Sequence, residues 1–264
     1  MIEITSMKNP IIKAIKSLYR KKERMKSGSF IIEGIKIIEE AMAHKHPMKH
    51  IVYTDKLMTT KGGPEFFQTI RAMENLIYVP ENIFKEISDT ENPQGVLAIA
   101  RFSFEDLQGL KEKENPSLIF LDRLQDPGNM GTIIRTADAF NIDGIIITDG
   151  SVDPYNPKVV RATMGSIFRL PIYYIEDSIN GLSALKDQGL MVYSTSLEES
   201  LPIYDIDYNG GFVLVIGNES TGVSDEVYAL SDRLIRIAMP GKAESLNEGV
   251  AASIILYEAM KQRS

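Results

Sequence analysis

Residues 212–222 read FVLVIGNESTG, five apolar residues followed by a polar loop with two glycines. A run this short and this apolar is typical of a strand that is buried on both faces. Similar runs at 117–121, 144–148, 190–194 and 234–237 alternate with helical patterns at 132–140, 158–164, 179–188, 225–229 and 248–262. This alternation predicts an α/β fold with a parallel sheet covered on both faces, in which ligands bind beyond the carboxyl ends of the strands.

Residues 1–101 predict a second, smaller α/β domain. The segment FIIEG at 30–34 precedes an amphipathic helical pattern at 35–42, and strand-like runs follow at 51–53, 77–79 and 96–100. Residues 102–115 are charged, contain little to bury and end in an Asn-Pro turn signal. The sequence therefore predicts a domain at 1–101, a linker at 102–115 and the parallel-sheet domain at 116–264.

The composition of the 264 residues, 44% apolar and 25% charged, is that of a folded globular chain and excludes disorder. No window reaches the roughly 18 uncharged apolar residues of a membrane helix, and the N-terminus does not read as a signal peptide. The absence of cysteine excludes disulfides, a thiolate nucleophile and a cysteine-rich zinc site. We expect a cytoplasmic protein with no membrane partner and no metal ion.

The charge is distributed unevenly. A net charge of −7 argues against a nucleic-acid partner, but residues 1–101 carry 16 basic and 12 acidic side chains, whereas the rest carries 13 and 24. Eight of the basic residues precede Ser27 and face only Glu3 and Glu23. This run predicts either a solvated helical face or a patch that contacts phosphates, and we select as candidates Arg20, Lys21, Lys22 and Arg24.

Three polar loops follow predicted strands. Loop A is residues 122–131, DRLQDPGNMG; loop B is 217–222, GNESTG; and loop C is 237–247, IAMPGKAESLN. Loops A and C alone are each explained by helix capping: Asn129 stands where a helix N-cap is expected, and Ser245 or Asn247 is placed to cap the last helix. Loop B matches neither a phosphate loop nor a dinucleotide fingerprint. Three such loops at strand ends together favour a single functional site.

The three loops together resemble the motifs of the SpoU/TrmH family of RNA ribose methyltransferases, in the SPOUT superfamily. The pattern N-x-G-x-x-x-R is matched by Asn129, Gly131 and Arg135; G-[NA]-E-x-x-G by Gly217, Asn218, Glu219 and Gly222; and S-L-N by Ser245, Leu246 and Asn247. The N-terminal half resembles the family's accessory substrate-binding domain, with its ribosomal-protein-like fold, through FIIEG at 30–34 and QGV at 94–96.

The resemblance implies a catalytic domain with a trefoil knot that binds S-adenosylmethionine. The positions that would contact this cofactor are Gly217, Ile237, Leu246, Met239 and Thr195. The implied reaction transfers the methyl group to a ribose 2′-hydroxyl in RNA. The accessory domain favours 23S ribosomal RNA as substrate, by analogy of fold.

The same resemblance assigns roles to the polar residues. Arg135 would stabilise the developing alkoxide; a role as base conflicts with a guanidinium pKa above roughly 12. Asn129 would position the ribose or Arg135, and Glu219 would orient Arg135 or a neighbour. Ser245 and Asn247 would complete the polar lining.

The resemblance also implies a homodimer with the site near the interface. Arg161 and Arg169 are candidates for a side chain supplied to the partner subunit, with ordinary surface arginines as the alternative. Two positions depart from the family: Ala238 replaces a common proline, and Glu248-Gly249 replaces Val-Ser or Val-Ala. Glu248 either disturbs the packing of the last helix or is a first-turn carboxylate favoured by the helix dipole.

Other functions fit parts of the pattern. A relative of the same architecture would methylate transfer RNA or a base nitrogen. A non-catalytic RNA-binding or ribosome-assembly protein would show a broken set of motifs, whereas this set is complete. A nicotinamide-dependent oxidoreductase suits the sheet but lacks the glycine fingerprint.

Overall fold

The computed structural model describes residues 2–197 and 200–264, except the side chain of Lys111, and its contacts divide the chain into two compact units. The first unit comprises Met1–Ser103 and Tyr155–Phe168, and the second comprises Phe104–Pro154 and Arg169–Ser264. A stretch from the middle of the sequence therefore belongs with the N-terminal unit.

The described residues form strands and helices in alternation. The strands are β1 Ile2–Glu3, β2 Ser29–Glu33, β3 Met48–Tyr53, β4 Leu76–Tyr78, β5 Val96–Arg101, β6 Ser117–Leu121, β7 Gly144–Thr148, β8 Ile172–Ile175, β9 Met191–Thr195, β10 Leu201–Pro202, β11 Phe212–Ile216 and β12 Arg233–Arg236. The α-helices are α1 Pro10–Ser17, α2 Lys21–Ser27, α3 Ile35–Ala43, α4 Lys56–Thr59, α5 Gly63–Ile70, α6 Glu81–Ile87, α7 Pro127–Ala139, α8 Pro157–Thr163, α9 Ser178–Lys186, α10 Asp225–Tyr228 and α11 Glu248–Arg263.

The first unit is built on a five-stranded mixed sheet of order β1-β4-β3-β5-β2. Strands β1, β4 and β3 pair in parallel, and β5 pairs antiparallel with β3 and β2. The stretch 155–168 joins this unit through aromatic contacts: the Tyr155 ring stacks on Phe102 with centroids 3.9 Å apart and lies 4.9 Å from Phe30.

The second unit contains a seven-stranded, entirely parallel sheet of order β10-β12-β9-β11-β6-β7-β8. Every residue of β6, β7 and β11 is buried. The predicted parallel α/β fold is thereby confirmed. Strands β8 and β10 were not predicted, because the first lies at the sheet edge with Tyr174 exposed and the second has only two residues. The trefoil knot stays a prediction.

Helix α7 carries motif residues and packs against α11, which begins directly after the third motif. α7 begins at Pro127, because the Asp126 side chain caps it by accepting the Asn129 amide at 2.8 Å. The expectation that Asn129 is the N-cap is therefore wrong. Gly249 permits close approach of the two helices, since a Cβ there would lie 3.1 Å from that of Thr132. In residues 2–197 and 200–264, no helix has the length and apolar character needed to cross a membrane.

Candidate active site

The carboxyl ends of β6, β11 and β12 lead into loops A, B and C, all in the second unit. β6 and β11 are neighbours in the sheet, and β12 is separated from β11 by β9. Because parallel strands end at the same edge of a sheet, the three loops lie where ligands bind in such folds.

Glu219 joins loop B to loop A through three hydrogen bonds. Its Oε1 accepts the Asp126 amide at 2.8 Å and Asn129 Nδ2 at 3.0 Å, and its Oε2 accepts the Gln125 amide at 3.0 Å. Burial by itself would raise the pKa of this carboxyl, but the hydrogen bonds outweigh burial and hold the pKa of Glu219 below its ordinary value. Glu219 is therefore an ionised carboxylate that fixes loop A.

Asn129 extends this connection to loop C. It is 5% exposed, and its Oδ1 accepts Asn247 Nδ2 at 2.7 Å. Asn247 in turn accepts the Val250 amide at 3.2 Å and so caps α11, as the capping interpretation predicted. We call the series Glu219, Asn129 and Asn247 the polar chain. It ties one residue from each motif to the next.

A cavity of about 540 Å³ opens beside the polar chain. Its wall contains all five residues expected to contact a cofactor, together with two of the polar candidates: Thr195, Gly217, Ile237, Met239 and Leu246, then Glu219 and Ser245. Its volume is that of a pocket for a molecule of cofactor size. The residues that the sequence selected separately thus surround one space.

Gly217 shows how closely the backbone approaches in this wall. A Cβ at this position would lie 2.2 Å from the carbonyl carbon of Gly222 and from the amide nitrogen of Val223. Asn218 and Gly222 exchange two backbone hydrogen bonds of 2.9 Å, which hold the loop in this fold. Any side chain at Gly217 would therefore force loop B open.

Two residues of this region were missed by the sequence analysis. Asp122 is 1% exposed and accepts the Ser224 amide at 2.7 Å, which holds the chain after loop B against loop A. Tyr228 lines the cavity and donates its hydroxyl to the Thr195 carbonyl at 2.9 Å. Asp122 could have been identified as a site residue from its position directly after a predicted strand. No pattern in the sequence marks Tyr228.

Arg135 lies apart from the polar chain. It is exposed on α7, and its guanidinium forms no hydrogen bond or ion pair within the residues that the structure describes. Glu219 was expected to orient Arg135 or a neighbour, and its hydrogen bonds go to Asn129 and to the backbone of loop A. The guanidinium therefore remains available to a ligand.

Arg161 and Arg169, the candidates for a side chain supplied to the partner subunit, each form an ion pair with a carboxylate of their own chain. Arg169 donates through Nε and Nη2 to Asp138 Oδ2 at 2.9 and 2.8 Å, in the second unit. Arg161 Nη1 lies 3.1 Å from Asp89 Oδ2, in the first unit. These pairs hold both guanidinium groups.

The four basic candidates near the N-terminus separate into two kinds. Arg20, Lys21 and Lys22 are exposed at the start of α2. Arg24 is 2% exposed, and its Nη1 donates to the Leu18 carbonyl at 2.7 Å. Three of the four side chains thus lie on the surface, and the fourth is part of the interior of the first unit.

Family models match both parts of the chain. Residues 116–257 match the SpoU rRNA methylase family, and residues 9–98 match the MRM3-like substrate-binding domain. This chain belongs to the SpoU rRNA methylase family. The resemblance drawn from the three loops and from the N-terminal half is confirmed.

Curated relatives of this SpoU methylase span nearly its whole length. It is 34% identical to the 23S rRNA (guanosine(2553)-2′-O)-methyltransferase of Bacillus subtilis over 257 residues. These residues cover 97% of this chain and 98% of the relative. It is 31% identical to the 23S rRNA (uridine(2479)-2′-O)-methyltransferase of Streptomyces viridochromogenes, over 93% of this chain and 87% of the relative.

Solved structures show the same architecture. An AdoMet-bound rRNA methyltransferase from Sinorhizobium meliloti superposes with a TM-score of 0.86 at 35% identity, over 98% of this chain and 97% of the other. The SpoU methyltransferase AviRb from Streptomyces viridochromogenes, in complex with AdoMet, has a TM-score of 0.84 at 29% identity, over 97% and 99%. The SPOUT assignment of the parallel-sheet domain is therefore confirmed.

Proposed function

We propose that this SpoU methylase transfers a methyl group from S-adenosylmethionine to the 2′-hydroxyl of one ribose in 23S ribosomal RNA. The observation that carries the proposal is the polar chain: Glu219, Asn129 and Asn247 join the three motif loops beside a cavity lined by every predicted cofactor residue. Two relatives that act on 23S rRNA ribose support the substrate.

The cavity fits S-adenosylmethionine, which supplies a methyl group bound to a positively charged sulfur. Gly217 and Leu246, both in the cavity wall, would offer backbone groups to the adenine and the methionine portion. Thr195, Ile237 and Met239 would form part of the wall around the cofactor. Two relatives bound to AdoMet support this cofactor.

Arg135 is the residue that we propose acts on the RNA. Its exposed and unpartnered guanidinium, within the described part of the chain, is free to donate to the ribose oxygen or to a neighbouring phosphate. A fixed positive charge near the 2′-hydroxyl stabilises the oxygen as it loses its proton. Ser245 would bind the ribose, and Asn129, held by Glu219, would position the loops around it.

The first unit would deliver the RNA. Its match to a substrate-binding domain and the exposed Arg20, Lys21 and Lys22 support a role in phosphate contact. Arg24 would support the fold of this unit from the interior. Because ribosomal RNA is the proposed substrate, we also propose a cytoplasmic location.

We propose that the active form is a homodimer. Val250, Ile254 and Tyr257 are 46%, 37% and 53% exposed and follow each other at helical spacing on α11. An apolar stripe on a helix that also carries Asn247 at its start favours an interface near the site. Arg161 and Arg169 would reach a partner's site only by leaving Asp89 and Asp138. Sedimentation of a strict monomer at micromolar concentration would contradict the dimer.

The experiment that tests the activity is a map of 2′-O-methyl groups in total RNA from cells with and without this chain. One 23S rRNA position should lose its 2′-O-methyl group when the chain is absent, and purified protein with S-adenosylmethionine should restore it. The two relatives modify different nucleotides, a guanosine and a uridine, so the map also identifies the base.

Three outcomes would replace the proposal. Loss of a methyl group from transfer RNA would change the substrate, and a methylated base in the nucleoside analysis would change the acceptor atom. RNA binding without any methyl transfer by purified protein would favour a ribosome-assembly function.

A further inference from the structure

Glu248 lies in the wall of the same cavity but belongs to none of the three motifs. It is the first residue of α11, directly after Asn247, and its side chain is partly buried. Within residues 2–197 and 200–264 its carboxylate forms no ion pair. The backbone amide of Glu248 itself donates a hydrogen bond to this carboxylate. The cavity wall therefore contains a carboxylate without a positive partner.

The surroundings of Glu248 are unfavourable to its negative charge. Burial is the largest cause of the raised pKa of Glu248, and the like charges of Glu219 and Asp126 raise this pKa further. Arg236 also lines the cavity but makes no ion pair with Glu248 in the described part of the chain. Glu219, in contrast, has three hydrogen bonds that stabilise its charge. A cation bound in the cavity would relieve this electrostatic stress at Glu248.

We propose that Glu248 makes the cavity discriminate between S-adenosylmethionine and its product S-adenosylhomocysteine by the charge on sulfur. The inference rests on the proposed cofactor. The sulfur of S-adenosylmethionine is a sulfonium cation, whereas the sulfur of S-adenosylhomocysteine is a neutral thioether. The carboxylate and ammonium groups are the same in both ligands. A carboxylate in the wall therefore attracts S-adenosylmethionine more strongly than S-adenosylhomocysteine, and S-adenosylhomocysteine leaves more readily.

The discrimination should appear in binding rather than in the chemical step. The attraction to sulfonium is present in the ground state and weakens as the methyl group leaves sulfur. Removing it should raise the KM for S-adenosylmethionine and leave kcat equal or higher. A defect in the shape of the site would instead lower kcat.

The test is calorimetric titration of the purified protein with S-adenosylmethionine and with S-adenosylhomocysteine. In Glu248→Gln, which keeps the size of the side chain, the ratio of the product Kd to the substrate Kd should fall about fivefold, the effect of one partly exposed charge pair. Glu248→Asp should keep most of the wild-type ratio. The control Glu244→Gln, a carboxylate in loop C outside the cavity wall, should leave the ratio unchanged.

A measurement on the wild-type protein gives the same information without a variant. As the pH falls, Glu248 should protonate before Glu219, because the pKa of Glu248 is raised and that of Glu219 is lowered, so the preference for S-adenosylmethionine should decrease. Asp126 and Arg236 are the other charged groups around Glu248 or its cavity, and Glu248→Gln should flatten the pH dependence if Glu248 is its source.

The outcomes separate this inference from the proposed function. If the wild-type protein binds neither ligand, the proposed cofactor is wrong. If it binds both and Glu248→Gln weakens both equally, or changes only the thermal stability, Glu248 supports α11 and the inference is wrong. If the variant does not fold, a wild-type preference that is constant with pH overturns the inference.

Discussion

Asn129 of the polar chain and Arg135 lie on the same helix, α7, and are held in opposite ways. Asn129 is buried and joined to Glu219 and Asn247 at 3.0 and 2.7 Å, whereas Arg135, six residues later, is exposed without a partner in the described residues. The groups that shape the site have satisfied one another, so they need no rearrangement when a ligand enters. The cation remains free for the RNA, where charge develops during the reaction.

The strongest test of this difference is Arg135→Ala. Methyl transfer should fall about a thousandfold, because the variant loses a charged donor to the developing oxyanion. The Kd of S-adenosylmethionine should stay within a few-fold of wild type and thermal stability should not change, since the side chain has no partner within the described chain. Initial rates with labelled cofactor, calorimetry and thermal unfolding give the three values.

Arg233→Ala is a matched control, because this exposed arginine of β12 lies outside the cavity wall and the three loops. It should retain wild-type turnover. Near-normal transfer by Arg135→Ala would show that the unpaired guanidinium has no part in the reaction.

Asn247 offers a test within the polar chain, because it has two separable roles. Asn247→Ala loses both the cap of α11 and the bond to Asn129, and should lower the free energy of unfolding by about 1 kcal/mol together with the activity. Asn247→Asp keeps an oxygen for the cap but has no amide donor for Asn129. This variant should keep the stability that the cap contributes and still lose at least about tenfold in rate.

The comparison of the two variants decides what the polar chain contributes. Chemical denaturation measures the cap, and methyl-transfer rates measure the link between loops. If Asn247→Asp transfers methyl groups at the wild-type rate, the bond between the two asparagines is structural only.

The parallel sheet was predictable because its strands are short apolar runs, whose burial on both faces leaves a direct trace in sequence. Strands β6, β7 and β11 have the predicted bounds. β8 contains Tyr174, 38% exposed at the sheet edge, and so departs from a purely buried pattern. The place of Tyr155–Phe168 in the first unit depends on aromatic contacts with distant residues, such as that of Tyr155 with Phe102, which no local pattern reports.

The candidate site was predictable as a set of residues but not as a set of bonds. The motifs identified Glu219, Asn129 and Asn247, and the structure joins them in one series. The start of α7 was misplaced because Asp126 and Asn129 are both good capping residues, and only the observed bond chooses between them. The sequence left open whether Glu219 orients Arg135 or a neighbour, because spacing along the chain does not reveal which side chains meet.

The basic run before Ser27 repeats the same contrast on a smaller scale. Arg24 is interior and donates to Leu18, whereas Arg20, Lys21 and Lys22 are exposed. Replacing the three exposed residues by glutamine should weaken RNA binding and reduce the slope of log affinity against log salt by about 2 to 3, because each phosphate contact releases a counterion. Thermal stability should change little, and filter binding over a series of salt concentrations measures the slope.

Arg24→Ala should show the reverse behaviour. Removing a buried guanidinium that donates to a backbone carbonyl should cost about 2 kcal/mol of stability, because Leu18 loses a charged donor and the interior gains a void. The salt slope should equal that of wild type, since this side chain is not accessible to phosphates. If Arg24→Ala reduces the salt slope at a temperature where the variant is folded, Arg24 belongs to the RNA interface. If the triple glutamine variant leaves the slope unchanged, the exposed run is a solvated helical face. The two variants therefore assign adjacent residues of one basic run to RNA contact or to the fold by opposite changes in stability and in salt dependence.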